Sequence, residues 1–121
     1  MRNFNYTGED EVPDDATHVT IAASVTVIPA EAFDGHPNIV EVIGPNVERV
    51  EDHAFIDCPS LRRVIMPGVE IVEGGAFFKC TALTDIECGK LENIGYQAFF
   101  ICRSLRSINL TSAKIVEREA F

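Results

Sequence analysis

Hydrophobic positions in this chain return every 22 residues. Ile39, Leu61, Leu83 and Leu105 form one column, and Val42, Val64, Ile86 and Ile108 the next. Gly44, Met66, Cys88 and Leu110 follow, with Gly44 the weak member, and then Val47, Val69, Leu91 and Ala113. Ile28, Val50, Val72, Ile94 and Val116 come before the pair Ala-Phe, which recurs as 32–33, 54–55, 76–77, 98–99 and 120–121. A register this strict means one structural unit stacked on itself, and stacking is what buries the columns.

The pattern inside one unit predicts a coil with a short strand. Val64 and Met66 alternate with period two, as strand residues do. Gaps of three around them, at Leu61, Val69 and Val72, turn the chain so that each apolar side chain points inward. No ten-residue window sustains a helical face, and Pro67, which cannot donate to a ladder, ends its strand. Neighbouring strands of such a stack lie ~4.8 Å apart. The array is expected over residues 18–121 as four to five coils, the last incomplete. Its first strand is Val19-Thr20-Ile21, and the first unit carries one extra residue.

Residues 1–17 are different in kind. Phe4 and Tyr6 alternate with polar neighbours, Gly8 interrupts, and an acidic run leads to Pro13-Asp14-Asp15. That reads as a strand, a turn and an extended lead-in. Terminal repeats of solenoids are usually atypical, so this segment is expected to cap the first coil with Phe4, Tyr6 and Val12.

The unit Leu61-x-x-Val64-x-Met66-Pro67-x-x-x-x-Val72-x-x-x-Ala76-Phe77-x-x-Cys80 resembles the BspA-like, or treponemal-type, leucine-rich repeat. It also fits the general leucine-rich period of about 20–29 residues. Gly44 in place of a strand leucine and His36 in place of the first Cys depart from it, as do Glu87 and Asn109 at strand positions. The resemblance implies a right-handed, β-rich solenoid of the α/β horseshoe class. One side would carry a parallel sheet and the other short irregular or 3-10 turns. It further implies protein recognition, adhesion in some members, and no catalysis.

Charge narrows the partners. The net charge is −9, and no basic stripe is present of the kind that nucleic-acid binding needs. No apolar run approaches the ~20 residues of a membrane-spanning helix. Met1-Arg2-Asn3-Phe4-Asn5-Tyr6 lacks the apolar core of a signal peptide. The expectation is a cytoplasmic protein if the chain is complete, and a cell-surface or secreted one if it is a fragment. Asn5-Tyr6-Thr7 and Asn109-Leu110-Thr111 fit the weak glycosylation sequon.

Candidate chemistry is sparse. Cys58, Cys80 and Cys102 share one repeat position, while Cys88 sits in a strand core position. Zinc sites usually build from close pairs such as Cys-x2-Cys, so the thiols are expected to be buried and reduced, with no metal. His18, His36 and His53 fall at three different repeat positions, and no nucleophile or acid converges on them. Gly74-Gly75 lacks the Lys-Ser/Thr of a phosphate loop and reads as a tight turn. No catalytic constellation and no cofactor site is expected.

Recognition is the function that remains. Successive strand residues alternate faces, which leaves two outward columns. One holds His18, Glu41, Arg63, Asp85 and Ser107, the other Thr20, Ile43, Ile65, Glu87 and Asn109. A protein partner is expected on this face, through Glu41, Ile43, Arg63, Ile65, Asp85, Glu87, Ser107 and Asn109. Arg63 stands between Glu41 and Asp85 as a charge ladder, and Ile43 beside Ile65 as a small apolar patch. Ile56, Phe78 and Phe100 form a rival column, expected to pack flat along the coil edge. The alternative expectation is structural: an assembly unit, or a fragment of a longer adhesion-type array. Such a unit would form homo-oligomers through the end that carries Ile108, Leu110, Val116 and Phe121.

Overall fold

The computed structural model describes residues 1–121. The chain winds through about four turns of a β-solenoid with parallel strands and no helix. One sheet is built from β1 (Asn3–Tyr6), β2 (His18–Ile21), β4 (Glu41–Ile43), β6 (Arg63–Ile65) and β8 (Asp85–Glu87), adjacent in that order. Each strand is parallel to the next, in the register the period dictates: Val19, Val42, Val64 and Ile86 lie side by side. These four are buried, and their outward neighbours are not.

The opposite side carries a second parallel sheet where short irregular or 3-10 turns were expected. Its strands are two residues each: β3 (Val27–Ile28), β5 (Arg49–Val50), β7 (Ile71–Val72), β9 (Asn93–Ile94) and β10 (Ile115–Val116). Two residues are too few to show period-two alternation within one unit. Only the stacking of neighbouring coils pairs them into a ladder.

A third ladder runs down the Ala-Phe corner. Phe33, Phe55, Phe77 and Phe99 donate their N–H groups to the carbonyls of Ala54, Ala76, Ala98 and Ala120, at 2.7–2.8 Å. Two left-handed residues flank each of the first four turns, and one precedes the fifth. Glu31, His53, Gly75, Gln97 and Glu119 precede the alanine, and Gly35, Asp57, Lys79 and Ile101 come two after the phenylalanine, all with φ of 55–66°. A non-glycine residue in this conformation costs roughly 1–2 kcal/mol. In return it aims its N–H at the next coil: His53 donates to Gly74, Asp57 to Phe78 and Lys79 to Phe100. The corner therefore satisfies its backbone donors without regular strand geometry.

The core is a single cluster running the length of the stack. Its axis is a ladder of rings: Phe33, Phe55, Phe77 and Phe99 are fully or almost fully buried. Their centroids are 4.8–5.2 Å apart and their planes within 4° of parallel. At the N-terminal end β1 pairs in parallel with β2, so it is the edge strand of the first sheet. Tyr6 tilts its ring onto Phe33 at 5.0 Å and donates its hydroxyl to the Gly8 carbonyl. Burial, then the nearby Asp10 and Glu9 carboxylates, raise the Tyr6 pKa above its ordinary value. Phe4 and Val12 pack partly buried against the same cluster.

The departures at Gly44 and His36 have a physical reason. Gly44 is buried, and a Cβ there would lie 2.6 Å from Cγ2 of Val47 and 3.4 Å from Cγ of Met66. The space a strand leucine would occupy is already filled by those two side chains. His36, at the cysteine position, reaches the Pro13 carbonyl through Nε2 at 2.8 Å. Its Nδ1 takes the N–H groups of Asn38 and Ile39. A carbonyl on one nitrogen and amide donors on the other select the Nε2–H tautomer. His36 thus ties the lead-in segment to the first coil, a distance no cysteine side chain spans.

Candidate recognition face

The outward columns of the first sheet stand as strand alternation requires. His18, Glu41, Arg63 and Asp85 are Cα partners across successive strands, with Ser107 bridging to Asp85. Thr20, Ile43, Ile65 and Glu87 form the second column. Arg63, Asp85, Glu87, Ser107 and Asn109 are exposed, whereas Glu41, Ile43 and Ile65 are half-buried. Ile43 and Ile65 are direct cross-strand neighbours, so their side chains meet as a patch.

The charge ladder forms on one side only. Arg63 Nη1 lies 3.7 Å from Glu41 Oε2, but Asp85 makes no ion pair with it. Asp85 instead accepts a hydrogen bond of 2.8 Å from the hydroxyl of Thr84. An exposed pair of this kind contributes only ~0–1 kcal/mol, so Arg63 keeps most of its capacity for an external carboxylate.

A groove of about 760 Å³ lies on this face. Six of the eight candidate residues line it: Arg63, Ile65, Asp85, Glu87, Ser107 and Asn109; Glu41 and Ile43 lie outside it. Asn109 is held in place by the backbone N–H and hydroxyl of Thr111, both donating to its Oδ1. Sequence reasoning missed Asn3 and Asn5, which β1 adds to the two columns opposite His18 and Thr20. The signal was the alternation of Asn3, Phe4, Asn5 and Tyr6, read there as a covering segment.

The cysteines belong to the core. The thiols of Cys58, Cys80 and Cys102 donate to the carbonyls of Phe33, Phe55 and Phe77, at 3.0–3.1 Å. All four cysteines are free; Cys102 alone is half-buried, on the last full coil. Burial pushes the Cys88 and Cys102 thiols up to about 11. Hydrogen bonding with Cys58, then burial, pushes Cys80 up as well. A nucleophilic or metal-binding cysteine acts as thiolate, and this environment opposes thiolate. Phe78 and Phe100 are half-buried along the coil edge with centroids 6.0 Å apart, and Lys79 Nζ lies 5.7 Å from the Phe78 ring centroid.

The profile of the BspA type leucine rich repeat region matches residues 13–121 in six copies. The chain belongs to this family. Among solved structures it is similar to the leucine-rich repeat protein of T. pallidum, at 28% identity with a TM-score of 0.73. That match covers 82% of this chain and 50% of the T. pallidum chain, so the chain spans about half the length of that relative. No curated protein matches significantly. BspA-type repeats are generally non-enzymatic scaffolds, and leucine-rich repeats are often used in protein–protein interaction. No helix here is long and apolar enough to cross a membrane.

Proposed function

We propose that this BspA-type array is a recognition module that takes a protein partner on the face of its first sheet. Contacts would come from Glu41, Ile43, Arg63, Ile65, Asp85, Glu87, Ser107 and Asn109. The groove that six of them line carries the reading. It combines half-buried Ile65 at one edge, next to Ile43 outside it, an arginine with spare hydrogen-bonding capacity, and carboxylates on the adjacent strand. Protein interfaces combine apolar contact with direct hydrogen bonds from polar groups around it. Arg63→Glu combined with Ile65→Asp should abolish partner capture by the immobilised chain. Like charges across the strands lower the variant's stability somewhat, so its urea midpoint is measured beside capture to establish that it is folded. Undiminished capture by a folded double variant would remove this face from consideration.

A second reading is favoured by the last coil, where Ile115 is 51%, Val116 48% and Phe121 47% exposed. Each coil covers the equivalent side chains of the coil before it, so this surface fits another repeat of the same kind. The chain would then be an assembly unit that associates with a second copy of itself. Light scattering over a concentration series should show dimers that dissociate on dilution. A constant monomer mass at the highest concentration would sink this reading.

A further inference from the structure

Away from the sheet face, the column that starts the Ala-Phe corner contains a gap. Ala30, Asp52, Gly74, Tyr96 and Arg118 occupy one repeat position in successive coils. Asp52, Tyr96 and Arg118 project side chains, and Gly74 projects none. Two adjoining hollows open there, of about 430 Å³ and 350 Å³, and both are lined by Asp52, Gly74 and Tyr96. Gly74 and Gly75 form the floor. Above Gly74, the Asp52 Oδ1 oxygen lies 3.3 Å from where a Cβ would stand; above Gly75, the His53 ring sits still closer.

The walls of this notch have complementary chemistry. Asp52 has no salt bridge within 4 Å and its carboxylate accepts no side-chain hydrogen bond. Tyr96 is 45% exposed although aromatic. From the coil below, the Arg118 guanidinium lies 5.4 Å from its ring centroid, so the ring already holds one such cation. On the coil above stands Gly74, which leaves that side of the ring uncovered. Asp52 and Tyr96 are two coils apart, roughly 10 Å at the usual strand spacing. A planar guanidinium fits between them, stacked on the ring and bonded to the carboxylate. The adjoining hollows offer Ile71, Ile115, Ile56 and Phe78 to the rest of a ligand, and the chain's net charge of −9 favours a cationic one.

We propose that the Gly74–Gly75 notch is a second docking site, which receives an arginine side chain from an extended segment of a protein partner. The guanidinium takes the place of the missing side chain in the column, between the Asp52 carboxylate and the Tyr96 ring. The proposal is independent of the sheet-face reading, because the two sites share no residue.

The test is a titration of the isotope-labelled chain with an acetylated, amidated Gly-Arg-Gly peptide, followed by NMR. A second peptide carries neutral citrulline in place of arginine. Saturable shifts are expected at the amides of Gly74, Gly75 and Gln97 with arginine and not with citrulline. Asp52→Asn and Tyr96→Ala, both at exposed positions, should each weaken the arginine peptide about five- to thirty-fold. Their remaining spectra should match the wild type, which reports an intact fold. Equal response to citrulline, shifts centred elsewhere, or binding indifferent to both substitutions would overturn the proposal.

Discussion

Phe77→Ala is expected to destabilise the protein by about 3–5 kcal/mol, the cost of emptying a buried phenylalanine site. Phe77 is 0% exposed, and its ring stacks on Phe55 at 5.1 Å and on Phe99 at 5.2 Å. Each aromatic contact is worth a further ~0.5–1.5 kcal/mol beyond burial, and this substitution removes two. The neighbouring rings cannot close the space, because their spacing is set by the backbone ladder that links Phe77 N–H to the Ala98 carbonyl. In a one-dimensional array stability resides in nearest-neighbour coupling, so the cavity weakens both halves of the stack at once. Whole domains are stable by only ~5–15 kcal/mol. Urea unfolding should therefore show a much lower midpoint for Phe77→Ala than for Phe121→Ala, whose ring has a partner on one side only and is 47% exposed. Equal midpoints for the two variants would contradict the ring ladder as the main source of coupling.

Gly95→Ala is expected to be clearly destabilising as well, although only a methyl group is added. A Cβ at Gly95 would lie 2.6 Å from the backbone nitrogen of Gly74 and 2.7 Å from the carbonyl carbon of Glu73. These are backbone atoms one coil away and cannot rotate aside. Relief requires the coils to part, at the expense of the bonds from Gly95 N–H to Val72 and from Gly75 N–H to Tyr96. Overpacking of this kind costs about 1–3 kcal/mol, occasionally more. Glu51, Glu73 and Glu117 occupy the same repeat position, so the requirement is local to the coil beside Gly74 and not a property of the repeat. Gly68→Ala is the control: its nearest contact would be the Val47 carbonyl oxygen at an ordinary 3.7 Å. A lower melting temperature is expected for Gly95→Ala alone, and identical melting of the two variants would refute the close approach.

The same contrast separates what was legible in the sequence from what was not. The sheet-face columns could be read in advance, because strand alternation and a constant period place Glu41, Arg63 and Asp85 side by side whatever their identities. The ion pairing among them could not. Arg63 chooses Glu41 while Asp85 turns to Thr84, and that choice depends on side-chain reach rather than on spacing. The notch was read as a tight turn, since Gly74-Gly75 shows where a side chain is missing but not that Asp52 and Tyr96 border the gap.

The sequence by itself determined the period, the inward columns and the coil, because every coil faces the same packing problem and answers it with the same residue type. Leu61 and Leu83, Val64 and Ile86, Phe55 and Phe77 are all visible as repeats for that reason. The tertiary structure decided what happens between coils. It paired two-residue segments into a second sheet, turned β1 into an edge strand, and directed the thiols of Cys58, Cys80 and Cys102 to phenylalanine carbonyls 25 residues earlier. It also gave the irregular residues their meaning, with Gly44 yielding its space to Val47 and His36 tying down the lead-in segment. Such contacts either cross from one coil to the next or are made by residues that break the repeat, and their partners appear only when the chain is folded.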